Sequence, residues 1–362
     1  MLLPVRAGLP PSAVFKGLNA LMREVFLASC SGRAIDESTL PYGLWTAAQA
    51  NPATDACLQA LDIAITALDD EDRYQLYLGA RAAPSVRQLF TDPIAAAQAI
   101  PETVNAALKN LTAHLFKNSS MLVGITAACG ETVKDHYNRY SAIHPPGNGN
   151  VCGMCATEQL AQLRSGTAAN NQWRAPYDHL LAKDKYPQFG VDPDNLIPIC
   201  HTCNSKAKLA KDLLYDLDGL RRTCFDPWAE SAHKQVELQI DFQDISPIVT
   251  WVMRPLSLTN QRKLTTWNEV YCIKERIEGE FLSLQEKLAE DLDCENLPAF
   301  KHSITTKAHA RKQFERRTPF NYWRHLLYES LLRLADPDLE QLRMLCHAAL
   351  DPNGDAAATY GI

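Results

Sequence analysis

Two C-x-x-C pairs constrain this chain of 362 residues more than any other feature of its sequence. Cys152 and Cys155 form the first pair, Cys200 and Cys203 the second, and the stretch 156–199 separates them. Each pair can present two thiolates from one tight turn, and zinc accepts four thiolates in a closed tetrahedral shell. A closed shell leaves no position for substrate, so a zinc ion held here is structural. Binding at such sites is worth on the order of 10–16 kcal/mol in peptides, enough to stabilise a small segment with little core of its own. The remaining cysteines of the eleven, Cys30, Cys57, Cys129, Cys224, Cys272, Cys294 and Cys346, stand alone. In a long chain this reads as one metal site plus reduced thiols, not as a disulfide framework.

Chemistry-bearing residues lie between and just after the pairs: Tyr177-Asp178-His179-Leu180-Leu181, then Asn195-Leu196-Ile197-Pro198, then Cys203-Asn204-Ser205-Lys206. Asp178 offers a hard carboxylate and Asn204 a carbonyl oxygen, donors that suit Mg²⁺ or Mn²⁺. An imidazole near its unperturbed pKa of about 6.5, such as that of His179, takes a proton from water at neutral pH. The order C-x-x-C, D-H, N-L-x-P-x-C-x-x-C-N-x-K resembles the HNH (ββα-metal) endonuclease family in its zinc-stapled variety, over about residues 152–211.

That resemblance implies a β-hairpin followed by a helix, clasping one catalytic divalent ion. The expected strands are Trp173–Leu181 and Asn195–Ile199. The expected helix starts near Asn204 and runs through SKAKLAKDLLYDLDGL, with Leu209, Leu213, Leu214 and Leu217 facing inward. It further implies that His179 activates water and that Asp178 and Asn204 hold the ion. Asn195 would orient His179, and Lys206 is a candidate phosphate contact. Where many members carry a second histidine, this chain has Asn204, which leaves the preferred metal open. His201, beside the second pair, is expected to be an exposed turn residue, and the isolated Asp135-His136 pair to be no site.

Around this segment the pattern is helical. Val14, Phe15, Leu18, Leu21, Met22, Val25 and Phe26 mark one apolar face, and Leu58, Leu61 and Ile65 another. Pro101 suits the first turn of a helix over PETVNAALKNLTAHLF. The prolines and glycines of HPPGNGN (144–150) mark a linker. Beyond Asp226-Pro227, VELQIDF alternates as one strand, a long helical segment follows over roughly 259–292, and two more helices precede a loose tail, DPNGDAAATYGI. The expected organisation is a helical interaction or regulatory domain (1–145), an HNH nuclease domain (150–228) and a mostly helical C-terminal region (229–362). Overall the fold class is α+β, mainly α with a small ββα-metal module.

The net charge of −6 counts against a uniformly basic nucleic-acid binder. The charge is uneven, however. Lys301, Lys307, Arg311, Lys312, Arg316, Arg317 and Arg324 crowd one stretch and are interleaved with Phe314, Phe320, Tyr322 and Trp323. Arg311, Lys312, Arg316 and Arg317 are candidate nucleic-acid contacts, with phosphate neutralisation and base stacking as the means. The competing reading is a solvated helix face over an aromatic core, with Trp323 inside. No apolar run approaches the roughly 18–20 residues of a membrane span, and the N-terminal residues lack the layout of a signal peptide. A cytoplasmic protein without membrane partners is therefore expected.

The expected activity is hydrolysis of DNA. By resemblance to HNH effectors of bacterial anti-phage systems, such as the nuclease component of Septu, the helical regions would meet an ATPase or other protein partner. Two alternatives stand beside it: the same site acting on RNA such as tRNA, and a zinc-ribbon scaffold or nucleic-acid-binding module without catalysis.

Overall fold

The computed structural model describes residues 1–3, 11–142, 150–160, 166–167 and 175–351, the side chains of 141 and 142 excepted. Among the described residues, the N-terminal region consists of helices and the turns between them: α1 (Ala13–Ser31), α2 (Leu44–Gln49), α3 (Pro52–Thr66), α4 (Asp70–Ala82), α5 (Val86–Thr91), α6 (Glu102–Asn118), α7 (Val123–Cys129) and α8 (Val133–Ala142). Local chemistry sets the ends. Ser12 caps α1 by accepting from the Phe15 amide, and Gly32 closes it in the left-handed conformation at φ 66°. Asn51 caps α3, with Pro52 in its first turn. The apolar face expected for α1 is buried at every position from Val14 to Phe26, as are Leu58, Leu61 and Ile65 of α3.

Two short strands, β1 (Tyr177–His179) and β2 (Leu196–Pro198), pair antiparallel with Asp178 opposite Ile197 and His179 opposite Leu196. The hairpin is thus where the sequence places it, although the strands are shorter, and Trp173 lies outside the described residues. Residues 144–149 of the expected linker and 352–362 of the tail also lie outside them.

The helix expected from Asn204 onward does not form. Cys203–Lys208 make one wide i→i+5 turn, which Leu209 ends at φ 50° and ψ −122°. Leu213 and Leu214 are buried, but Leu209 and Leu217 stand in solvent. Two anchors explain the short turn. Cys203 belongs to the cysteine cluster, and Lys208 is drawn inward onto Asp178.

The C-terminal region begins with a hairpin, β3 (Val236–Gln243) and β4 (Ser246–Met253), rather than one strand. The expected long helix is three: α9 (Leu258–Tyr271), α10 (Ile273–Glu280) and α11 (Leu284–Asp291). The first break is at Cys272, which is left-handed at φ 52°, and the Asn268 side chain there accepts from the Lys274 amide and starts α10. Then follow α12 (Leu297–Gln313), α13 (Asn321–Leu331) and α14 (Asp336–Ala349). The buried apolar residues of all three regions form one contiguous core. Among the described residues, no helix is long and apolar enough to cross a membrane.

Candidate metal centre and adjoining hairpin

The four sulfurs of Cys152, Cys155, Cys200 and Cys203 lie within 4.8 Å of one another, and all four residues are buried. N–H and O–H groups converge on them. The Cys200 amide points at the Cys152 sulfur (3.3 Å) and the Cys203 amide at that of Cys200 (3.4 Å). Thr157 gives Cys155 both its amide (3.4 Å) and its hydroxyl (3.1 Å). Arg276, on α10, donates to the Cys203 sulfur at 3.3 Å and to the Thr157 hydroxyl at 2.6 Å. Donors aimed at sulfur stabilise thiolates, and a guanidinium offsets the net negative charge of a four-thiolate site. The donor set and its closure fit one structural zinc ion.

The hairpin beside this cluster carries Asp178 and His179. Nε2 of His179 lies 2.8 Å from the Gly190 carbonyl oxygen. A carbonyl only accepts, so Nε2 bears the proton and Nδ1 keeps the lone pair. Burial pushes the His179 pKa down to about 4, with the Lys208 and Lys183 cations adding to it and the Gly190 bond opposing it. The imidazole is therefore neutral at pH 7, a base with its lone pair on a known atom. The ring of Phe116, on α6, packs at an angle of 62° against it, with 4.3 Å between centroids.

Asn195 is fully buried but does not orient His179 by touching it. Its Nδ2 donates to the carbonyls of Leu181 (3.0 Å) and Phe189 (2.9 Å), and its Oδ1 accepts from the Leu181 amide at 2.7 Å. Both amide protons are spent on backbone. Asn195 thereby ties the residue two after His179 to the one before Gly190, and so fixes the acceptor that holds the ring. Gly190 has no room for a side chain, since a Cβ there would stand 2.8 Å from the Thr112 Cβ of α6.

Asp178 is buried, and its two carboxylate oxygens lie 2.9 and 2.8 Å from the Lys208 ammonium, which also donates to the His179 carbonyl. Burial pushes the Asp178 carboxyl above its ordinary pKa, and Lys208 works against that. Asn204 is half-buried, its amide bonds to the Cys200 carbonyl, and its side chain has no hydrogen bond among the described residues. In this conformation the carboxylate is committed to Lys208, so Asp178 and Asn204 do not together offer a site to a divalent ion.

No family model, curated protein or solved structure matches this chain.

Lys206 and His201 are exposed. Asp135 caps the start of α8 through the Thr132 amide (3.0 Å), while His136 packs inward, its Nδ1 2.6 Å from the Tyr177 hydroxyl. The basic stretch spends much of its charge internally. Arg311 pairs with Asp291 at 3.1 Å and bonds to Asn321 at 2.9 Å, Lys307 also reaches Asp291, and Lys301 pairs with Asp336. Arg317 lies 4.8 Å over Phe314, Lys312 is exposed and Arg316 half-buried. Tyr322 and Trp323 are buried, so only part of the aromatic set remains available for stacking.

Lys208, Gly190, Phe116 and Arg276 are not among the residues expected from the sequence. The second lysine of K-A-K could have signalled Lys208, because a C-x-x-C turn fixes the residues that follow it. Phe116 and Arg276 lie far from the motif in the chain and carry no local signal.

Proposed function

We propose that this protein is an HNH-type endonuclease that hydrolyses phosphodiester bonds in DNA. The observation that carries the proposal is His179: a neutral imidazole of fixed tautomer, adjacent to Asp178 on a hairpin stapled to four gathered cysteines. In the proposed reaction, Nδ1 takes a proton from water as the water oxygen bonds to phosphorus and the P–O bond to the departing 3′-oxygen breaks. A positioned base with a pKa near the operating pH is worth typically about 10²–10⁴ in rate, and His179, held down to about 4 by burial, belongs at the low end of that range. The departing oxygen takes a proton from solvent, leaving a 5′-phosphate and a 3′-hydroxyl, the outcome the family resemblance implies. Asp178 is paired with Lys208 and is not free to ligate a divalent ion in this conformation.

Exposed Lys206, in the turn after Cys203, is the proposed phosphate contact, with Lys312 and Arg316 as more distant ones. A role in anti-phage defence, with a partner protein engaging the helical regions, extends the same proposal. The test is incubation of the full chain with duplex DNA, single-stranded DNA and tRNA, with Mg²⁺ and with Mn²⁺. Cleavage of DNA supports the proposal; cleavage of tRNA alone reassigns the substrate to RNA.

One observation favours a second reading. A buried Asp178–Lys208 pair suits a zinc-stapled scaffold that performs no chemistry. That reading expects no cleavage of any of the three, and equal nucleic-acid binding with and without the His179 side chain.

A further inference from the structure

We infer that Cys272 and Lys211 are a paired modification site, which hydrogen peroxide converts into a covalent sulfur–nitrogen cross-link. The bridge ties the segment that leaves the second cysteine pair to the junction of α9 and α10.

The first support is the contact. Nζ of Lys211 lies 3.3 Å from the Cys272 sulfur. Two carbonyls at the end of α9 hold the ammonium there, Glu269 at 2.9 Å and Val270 at 3.5 Å. The lysine backbone is set as well, since the Lys211 amide donates to the Lys208 carbonyl at 2.8 Å. Lys211 is exposed and Cys272 half-buried, so a small oxidant reaches the pair. Cys57 and Cys129 are also half-buried, but among the described residues neither has a side-chain amine in hydrogen-bond contact with its sulfur.

The second support is the backbone under the sulfur. Cys272 ends α9 at φ 52° and ψ 48°, its amide bonded to the Asn268 carbonyl at 2.7 Å. A left-handed cap of this kind is ordinarily glycine, sometimes asparagine, because a Cβ crowds it. The cap gains nothing from cysteine; what this residue adds is a sulfur placed beside an amine. Residues held in sparsely populated backbone conformations cluster at functional sites.

The chemistry balances with peroxide as the oxidant. One peroxide oxygen bonds to the Cys272 sulfur, the O–O bond breaks, water leaves, and the thiol becomes a sulfenic acid. Lys211, having given a proton to solvent, attacks that sulfur through Nζ. The S–N bond forms, the S–O bond breaks, and the hydroxyl leaves as water with a second proton from the amine. Sulfur is oxidised by two electrons and peroxide is reduced by two, so the chain loses two hydrogens in all. A sulfenic acid is known to condense with nitrogen in this way when the nitrogen is close. Arg276, which donates to the Cys203 sulfur, lies one turn beyond Cys272 on α10. The bridge therefore joins the two backbones that meet at the metal centre.

The test is peroxide treatment of the full, zinc-loaded chain, followed by tryptic digestion without reductant and mass spectrometry. The expected product is a peptide pair linked through Lys211 and Cys272, uncut after Lys211, lighter by two hydrogens than its parts and separated by dithiothreitol. Lys211→Arg keeps a cation on the α9 carbonyls but removes the condensing amine. In that variant the sulfenic acid persists and dimedone labels Cys272, whereas labelling of the wild type falls as the linked pair accumulates. Cys272→Ser gives neither product. Dimedone labelling of Cys272 that is equal in wild type and Lys211→Arg, with no linked pair, overturns the inference, as does a Cys272 that peroxide leaves unmodified. If Lys211→Arg fails to fold, as judged by zinc content and circular dichroism, the presence or absence of the linked pair in the wild type decides.

Discussion

The indole N–H of Trp323 donates to the carbonyl of Cys155 across 2.7 Å, so a side chain of α13 closes the backbone of the first cysteine pair. Trp267 of α9 does the same for the Met154 carbonyl at 2.9 Å, and the Phe320 amide donates to the Ala156 carbonyl at 2.8 Å. The cluster is therefore built jointly with the C-terminal region. Trp323→Phe keeps most of the ring volume but orphans a buried carbonyl, a loss of about 1–3 kcal/mol. Urea unfolding should show that loss, and an unchanged midpoint would mean the bond contributes nothing.

Arg276 brings a positive charge to the sulfurs from α10. Arg276→Met keeps the packing of the stem and removes the charge and the bonds to Cys203 and Thr157. Loss of such outer contacts typically lowers metal affinity about 10–100-fold. Competition with a chromophoric chelator should show zinc leaving the variant at lower chelator concentration.

Asn195 and Gly190 hold the His179 ring from one side. Asn195→Ala would leave the Leu181 amide and carbonyl without their partner, while the Phe189 carbonyl keeps the Asp192 amide at 3.2 Å, at a cost of about 2 kcal/mol or more. Gly190→Ala would drive a methyl into Thr112 for about 1–3 kcal/mol. Thr112→Ala should recover part of the second loss and none of the first, as a double-mutant cycle in thermal unfolding would reveal.

The depressed His179 pKa has a pH signature. The unfolded imidazole gains its proton near pH 6.5, whereas the folded one resists until about pH 4. Between those values the unfolded state binds more protons, so stability falls as pH falls, by about 3 kcal/mol at the low end. His179→Gln should flatten this part of the stability curve relative to the parent. The same property keeps the base unprotonated from pH 8 to pH 5, so His179 itself imposes no loss of cleavage rate in that range.

The cysteine cluster, the β1–β2 hairpin and the helical character of the flanks were legible because each is local. Ligand spacing, strand pairing and a 3.6-residue apolar period leave marks within a few residues of one another. The turn after Cys203 was misread for a physical reason: the leucine spacing from Leu209 to Leu217 does favour a helix, and a distant carboxylate on β1 overrides it. The break at Cys272 was likewise hidden in a continuous apolar period, and β4 was missed because only β3 alternates cleanly. The contacts of Phe116 with His179 and of Arg276 with Cys203 join residues far apart in the chain, which no spacing rule reaches.

The role of His179 is tested by single-turnover cleavage of supercoiled plasmid by the wild-type chain and by His179→Ala. Zinc content and circular dichroism should be matched between the two. His179→Ala should keep zinc and fold and lose about 10²-fold in rate. Cleavage by His179→Ala at the wild-type rate would contradict it.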